Sequence, residues 1–190
     1  MIKIFNIFKK IVFRILHAPF SRIGHGSFCH IPYRIDGYSG IKIGVNTEIL
    51  SGSWLYTDVN SRKSGLIKLS IGNNVVLGYR NHIVSVNSIS IGNSVLTANN
   101  VYISDNYHKF DDVSIPIINQ GVESKREVVI GEGSWIGENV CIISSKIGRN
   151  CVIGANSVVL SDIGDFCLAA GVPAKVIKKY CNDKKEWIKV

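Results

Sequence analysis

Aliphatic side chains recur at every sixth position through most of this chain. Ile130, Ile136 and Ile142 keep that spacing, and after one missing residue it resumes at Ile147, Ile153 and Val159. Upstream it runs through Ile71, Leu77, Ile83 and Ile89, then restarts at Ile91, Thr97 and Ile103. Gly follows the aliphatic residue at Gly44, Gly72, Gly92, Gly131, Gly137, Gly148 and Gly154. Four positions after the aliphatic residue stand small or apolar side chains: Val75, Val95, Val101, Ser134, Val140, Cys151 and Ser157. Helices repeat every 3.6 residues and strands every two, so a period of six with a small-residue slot predicts an all-β solenoid of hexapeptide repeats.

Each hexapeptide supplies one short strand and the turn that ends it. Three of them complete a triangular coil of about eighteen residues, and stacked coils share one continuous core. The Gly beside each inward aliphatic residue is expected to give the corner its backbone freedom. A β-sandwich also has short strands and Gly-rich turns, but its turns do not hold register through consecutive sixes.

The beat divides the chain. Residues 1–40 precede the solenoid, 41–168 carry it, and 169–190 follow it. Within 2–16, Ile4, Ile7, Phe8, Ile11 and Ile15 share a helical face, with Lys3, Lys10 and Arg14 roughly opposite. This basic amphipathic helix is read first as a cap on the open end of the solenoid, and second as a segment lying on an anionic membrane surface. A polar loop is expected near 57–65. A second loop, 105–127, breaks the repeat and contains Asp105 and His108; long loops in compact domains are commonly functional. Residues 169–190 read as a short basic helix or tail.

Charge refines this division. The formal net charge is +8. Residues 1–34 hold six basic groups and no acid, and residues 175–190 hold six Lys against Asp183 and Glu186, leaving the middle near neutrality. A nucleic-acid binder would carry a basic stripe along its folded surface, so that class is set aside. No apolar run is long enough to span a bilayer. Five Cys without a C-x-x-C pair, and no cleavable signal pattern, point to a reducing cytoplasm and to no zinc site.

Three blocks carry a family resemblance: IGNSVLTANNVYISDNYH (91–108), VIGEGSWIGENV (129–140) and AAGVPAKVIK (169–178). In this order, with a loop between the first two, the chain resembles the hexapeptide-repeat acyltransferases of left-handed parallel β-helix fold. It is most similar to the bacterial O-acetyltransferases of surface-polysaccharide synthesis and to the maltose and galactoside acetyltransferases. The resemblance implies a homotrimer whose sites lie between subunits, acetyl-CoA as co-substrate, a sugar or glycan as acceptor, and no metal.

The resemblance also assigns roles. His108 matches the catalytic base, and an imidazole within reach of an alcohol can take its proton as it attacks a thioester. Glu123, by its spacing ahead of the reopening Ile-Gly, and Asp105, three residues before His108, are rival groups for orienting that imidazole. The backbone N–H of Glu138 matches the oxyanion donor. Trp135 matches the thioester channel, and Gly154, Ala155 and Asn156 match the path of the pantetheine arm. Lys175 and Lys178 match basic positions near the coenzyme's phosphates. Tyr79, Arg80, Asn81 and Tyr107 are acceptor-side candidates, although the family's N-x-N element is absent at 78–81. A further departure is Ser144-Ser145-Lys146, one residue shorter than the family's usual turn.

The expected function is therefore acetyl transfer from acetyl-CoA to a sugar hydroxyl, in the cytoplasm or peripherally at the membrane's inner face. N-acetylation of a nucleotide-linked amino sugar is the rival enzyme reading. A scaffold or a γ-carbonic-anhydrase-like metal site is the remaining alternative, with His82 as its one candidate beside the repeat.

Overall fold

A computed structural model describes residues 22–58 and 66–190 of the chain. The amphipathic helix expected over 2–16 lies outside the described residues. Within them the chain winds as a three-walled β-solenoid. The first wall stacks Phe28–Cys29, Glu48–Ile49, Val76–Leu77, Leu96–Thr97, Trp135–Ile136 and Val152–Ile153. The second stacks Arg34–Asp36, Trp54–Thr57, His82–Ser85, Tyr102–Ser104, Cys141–Ile143 and Val158–Val159. The third stacks Ile41–Ile43, Leu69–Ile71, Ile89–Ile91, Val128–Ile130 and Lys146–Ile147. Pairing inside each wall is parallel.

The six-residue beat is the inward column of these walls. Leu77, Ile83, Ile103, Ile130, Ile136 and Ile142 are wholly buried, so each coil contributes its aliphatic set to one core. Coil length departs from the expected eighteen. His82 faces Tyr102 twenty residues on, whereas Trp135 faces Val152 only seventeen on. The shorter coils contain the residue missing from the beat after Ile142.

The corner glycines need a different explanation from backbone freedom. Left-handed φ angles fall instead on Asn46, Asn74, Asn100, Asn139, Asn150 and Asn156, a residue type whose short amide tolerates that region. Gly72 is needed for closeness: a Cβ there would stand 2.7 Å from the carbonyl carbon of Gly92 in the next coil.

The basic C-terminal segment is not a helix. Ala174–Cys181 pairs antiparallel with Cys167–Gly171, which continues the first wall, and then with Glu186–Lys189. Interspersed Lys obscured a strand content of Val176, Ile177, Tyr180, Trp187 and Ile188. The hairpin covers what would otherwise be an open sheet edge.

Candidate active site

Both long insertions leave the end of the second wall, after Thr57 and after Ser104. The second begins with a two-residue strand, Tyr107–His108, paired antiparallel with Val122–Glu123. This hairpin stands over the second wall and closes a groove of about 610 Å³. The floor comes from three consecutive coils through Trp54, Tyr56, His82, Val84 and Tyr102, with Asp58 at one end and Tyr107, His108 and Val122 at the other.

Asp105 roots the hairpin. It is fully buried and accepts from the backbone N–H groups of Val86 (2.8 Å), Asn87 (2.9 Å) and Ser88 (2.7 Å). The Ser85 hydroxyl and the Asn106 amide complete its shell at 3.1 Å each. Such a carboxylate caps the turn of the preceding coil and has no lone pair left for His108, so Asp105 is removed from the orienting candidates. Glu123 is also displaced from that role within one chain. It lies opposite Tyr107, while His108 lies opposite Val122, and directly paired residues share a face of the ladder. Burial, then the Glu123 carboxylate, push the Tyr107 phenol above its ordinary range. His108 itself is exposed, and among the described residues its ring makes no side-chain hydrogen bond.

A column of stacked groups forms the groove floor. The Trp54 and His82 rings stack with centroids 4.2 Å apart and planes nearly parallel at 8°. Tyr102 meets His82 edge-on at 5.2 Å, and the Arg34 guanidinium covers the other face of Trp54. Burial lowers the His82 pKa, which keeps the imidazole neutral, and its Nε2 has no partner among the described residues. No group of three or more His, Cys, Asp or Glu among the described residues is arranged to hold a metal. The sequence did not reveal Trp54, Tyr56, Asp58 and Tyr102 as a group. Their alternation in W-L-Y-T and Y-I-S marks outward positions, but only the register across coils aligns them.

The remaining candidates sit elsewhere. Trp135 projects half-exposed from the first wall, in line with Leu96 and Val152. Glu138 follows it at the corner between the first and second walls. There the Tyr79 N–H donates to Asn99 Oδ1 (2.8 Å), and the Asn99 N–H donates to Glu138 Oε2 (3.0 Å). The residue next in this column is Ala155, which has no acceptor to offer, so among the described residues the Glu138 N–H is unbonded. Gly154 and Asn156 flank Ala155 at this corner, Asn156 exposed beside it.

Lys175 and Lys178 are exposed on the C-terminal hairpin, Lys178 paired in register with Lys189. Asn81 is corrected: it is buried, with its amide bonded to Thr97 and to the Val101 N–H, and it holds the corner together. Tyr79 and Arg80 are exposed at that corner, outside the groove.

This architecture agrees with the comparisons. A family model described as the hexapeptide repeat of succinyl-transferase matches residues 68–105 and 127–161, the segments either side of the His108 loop. A protein of Escherichia coli K12 provisionally named lipopolysaccharide biosynthesis O-acetyl transferase WbbJ is 39% identical over 168 residues, covering 85% of this chain and 81% of the relative.

The chain belongs to the hexapeptide-repeat acetyltransferases.

Among other family relatives, an acetyltransferase of Mycobacterium tuberculosis, also provisionally named, is 40% identical over 153 residues. That match covers 78% of this chain, which spans only 50% of the relative's length. AntD, an N-acyltransferase from Bacillus cereus solved with dTDP and 3-hydroxybutyryl-CoA, superposes with a TM-score of 0.74 at 18% identity, over 90% of this chain and 89% of that one. At that identity the likeness concerns the hexapeptide-repeat fold.

Proposed function

We propose that this chain is an acetyl-CoA-dependent O-acetyltransferase of surface-polysaccharide synthesis, for O-antigen or capsule, with His108 as general base. The observation that carries this reading is the exposed, unbonded imidazole of His108 at the mouth of a groove. His108 takes the proton of a sugar hydroxyl, the oxygen attacks the thioester carbonyl, and a tetrahedral oxyanion forms. The Glu138 N–H donates to that oxyanion. Collapse expels the coenzyme thiolate, which recovers the proton from the imidazolium.

The parts of this mechanism do not meet inside one chain. His108 rises beyond one edge of the second wall and Glu138 lies before the other, with the strand between them alone about 10 Å long at about 3.3 Å per residue. A left-handed coil assembled as a homotrimer brings the second wall of one copy against the first wall of the next, joining His108 to Trp135 and Glu138. Charge and polarity support that pairing. Outward positions are Lys42, Ser70, Ser90, Val129 and Lys146 on the third wall, mostly polar, against Glu48, Val76, Leu96, Trp135 and Val152 on the first and Tyr102, Cys141 and Ile143 on the second, mostly apolar or aromatic. Glu123 then serves the assembly by holding Tyr107 rather than His108. The pantetheine arm passes Gly154, Ala155 and Asn156, and Lys175 and Lys178 receive the phosphates. Work on a cytoplasmic or membrane-peripheral glycan suits this chemistry; among the described residues no helix is long and apolar enough to cross a membrane.

Release of coenzyme thiol in the presence of neutral sugars, with NMR of the product, tests this reading. An acetyl ester on a sugar oxygen and a particle of three chains are expected. Acetylation only of amino sugars, or a monomer with full activity, would overturn it.

A further inference from the structure

We infer that the acceptor is an uncharged glycan of at least two sugar units, its reacting unit at His108 and its next unit held by Tyr56 and Asp58 at the far end of the groove. This inference rests on the transferase reading of His108 and specifies what that site takes.

Length is the first argument. The groove continues past the Tyr102 strand to His82 and then to Trp54, which the registry makes consecutive neighbours. Strands lie about 4.8 Å apart, so the floor extends about 10 Å beyond the strand that carries the hairpin. A single pyranose with its hydroxyl at His108 occupies the near end only. A volume of about 610 Å³ is that of a pocket for a larger ligand; such pockets run from about 300 to 1,000 Å³.

Chemistry at the far end is the second argument. Among the described residues lining the groove Asp58 is the only carboxylate, and there is no Lys or Arg. Asp36 lies close behind, bonded to the Trp54 indole N–H at 3.0 Å and paired with Arg34 at 2.8 Å. Lys68 approaches Asp58 at 3.9 Å from a buried position. Burial, then Asp58 and Asp36, raise the Tyr56 pKa, so the phenol keeps its proton and remains a donor. A neutral phenol beside carboxylates offers both donor and acceptor to sugar hydroxyls. With no Lys or Arg among the described lining residues, the groove offers a diphosphate no cation to receive its charge. Trp54 contributes no stacking face, since Arg34 and His82 cover both sides of its ring. Recognition therefore runs through hydroxyl hydrogen bonds. A cation is found near the opposite end, where Lys125 lies over the Tyr107 ring.

The test uses the full-length protein with methyl α-glucoside, maltose, maltotriose and UDP-glucose, and the matching galactose series of methyl β-galactoside, lactose and UDP-galactose. Turnover is read by coenzyme release, and binding by saturation-transfer NMR on the His108→Ala protein. In at least one series, kcat/KM is expected to rise about tenfold or more from the monosaccharide to the disaccharide. Asp58→Asn and Tyr56→Phe should lower the disaccharide value at least tenfold and the methyl glycoside value far less. A monosaccharide or nucleotide sugar used as well as the disaccharide would overturn the inference, as would an Asp58→Asn loss equal for all acceptors. Asp58-dependent disaccharide binding without transfer to any acceptor supports the groove assignment and overturns the catalytic reading. Transfer confined to monosaccharides does the reverse.

Discussion

Two corners of this solenoid are built to the same plan and face different surroundings. At the corner between the third and first walls, the Val45 N–H donates to Asn73 and the Asn73 N–H to Asn93. At the corner between the first and second walls, Tyr79 and Asn99 donate in the same way to Asn99 and Glu138. Both corners use left-handed Asn residues, Asn74 and Asn150 at one, Asn100 and Asn156 at the other. The first ladder ends at Asn93 and the second one coil later at Glu138; in that later coil Glu132 stands over Arg149 and Glu138 over Ala155, and neither N–H has an acceptor among the described residues. A free N–H is therefore not what marks a site. The first corner borders a polar wall, whereas the second lies between two walls with apolar outward residues and follows Trp135. Coil geometry is shared, and the outward side chains assign it a use.

The largest effect expected concerns the group that neither corner supplies. His108→Ala should lower kcat by about 10²–10⁴-fold, the usual contribution of a general base, while coenzyme binding and the trimer persist. Retention of more than about a tenth of the wild-type rate would remove the imidazole from the chemistry, and the contrast between the corners would lose its catalytic meaning.

The next prediction uses the free N–H that each corner holds in that coil. Ala155→Asn gives the Glu138 N–H an amide acceptor of the kind that Asn99 gives Tyr79. Loss of one oxyanion donor costs about 10²–10³ in kcat, and a thermal midpoint no lower than wild type would show that the coil is intact. Arg149→Asn makes the same repair beneath Glu132 and should leave kcat within about twofold. Equal losses from both substitutions would mean that the two corners are functionally alike.

How far these features could be read from the sequence follows from the same distinction. The inward column was legible because Ile71, Leu77 and Ile83 are selected by one repeated environment, and periodicity reports that directly. Outward positions carry no such beat. Trp54, His82 and Tyr102 align only once the twenty-eight-residue step between the first two and the twenty-residue step between the last two are known. Asp105 looked like a partner for His108 because three residues separate them. Its carboxylate turns instead to a coil some twenty residues earlier, a direction that local spacing does not encode. Glycine was misread for a related reason. Its sequence signal is the same whether the need is a φ value or space for a neighbouring backbone.

That last point gives a stability test within one corner. Gly72→Ala would bring a Cβ within 2.7 Å of the Gly92 carbonyl group, an overpacking that costs about 1–3 kcal/mol. The thermal midpoint should fall by about 2–4 °C per kcal/mol for a chain of this size. Gly164 occupies the equivalent position in the last coil, where a Cβ would meet nothing within 4 Å. Gly164→Ala should be neutral, or stabilising by up to about 1 kcal/mol through the unfolded chain. Equal destabilisation by both would mean that backbone conformation, rather than the coil packed beneath, dictates glycine there.

The smallest effect lies at the remaining corner, between the second and third walls, where Asp162 is a capping residue. Asp162 accepts the Lys146 N–H at 2.9 Å and the Arg126 guanidinium at 2.7 Å. These contacts, the backbone one first, hold its carboxyl below the ordinary Asp value. A group whose pKa is depressed on folding adds stability above its unfolded value, and that contribution fades as pH falls through the folded one. The side chain is half-exposed, so screening keeps the gain of these bonds under about 1 kcal/mol. Asp162→Ala should therefore lower the urea midpoint slightly at pH 7, and the gap from wild type should narrow steadily below about pH 4. The Asn73 amide, which accepts the Val45 N–H, does not titrate, so Asn73→Ala should show a deficit that stays level over the same range. A constant gap for Asp162→Ala down to pH 3 would assign its effect to packing, and the third corner would then differ from the others in residue name only.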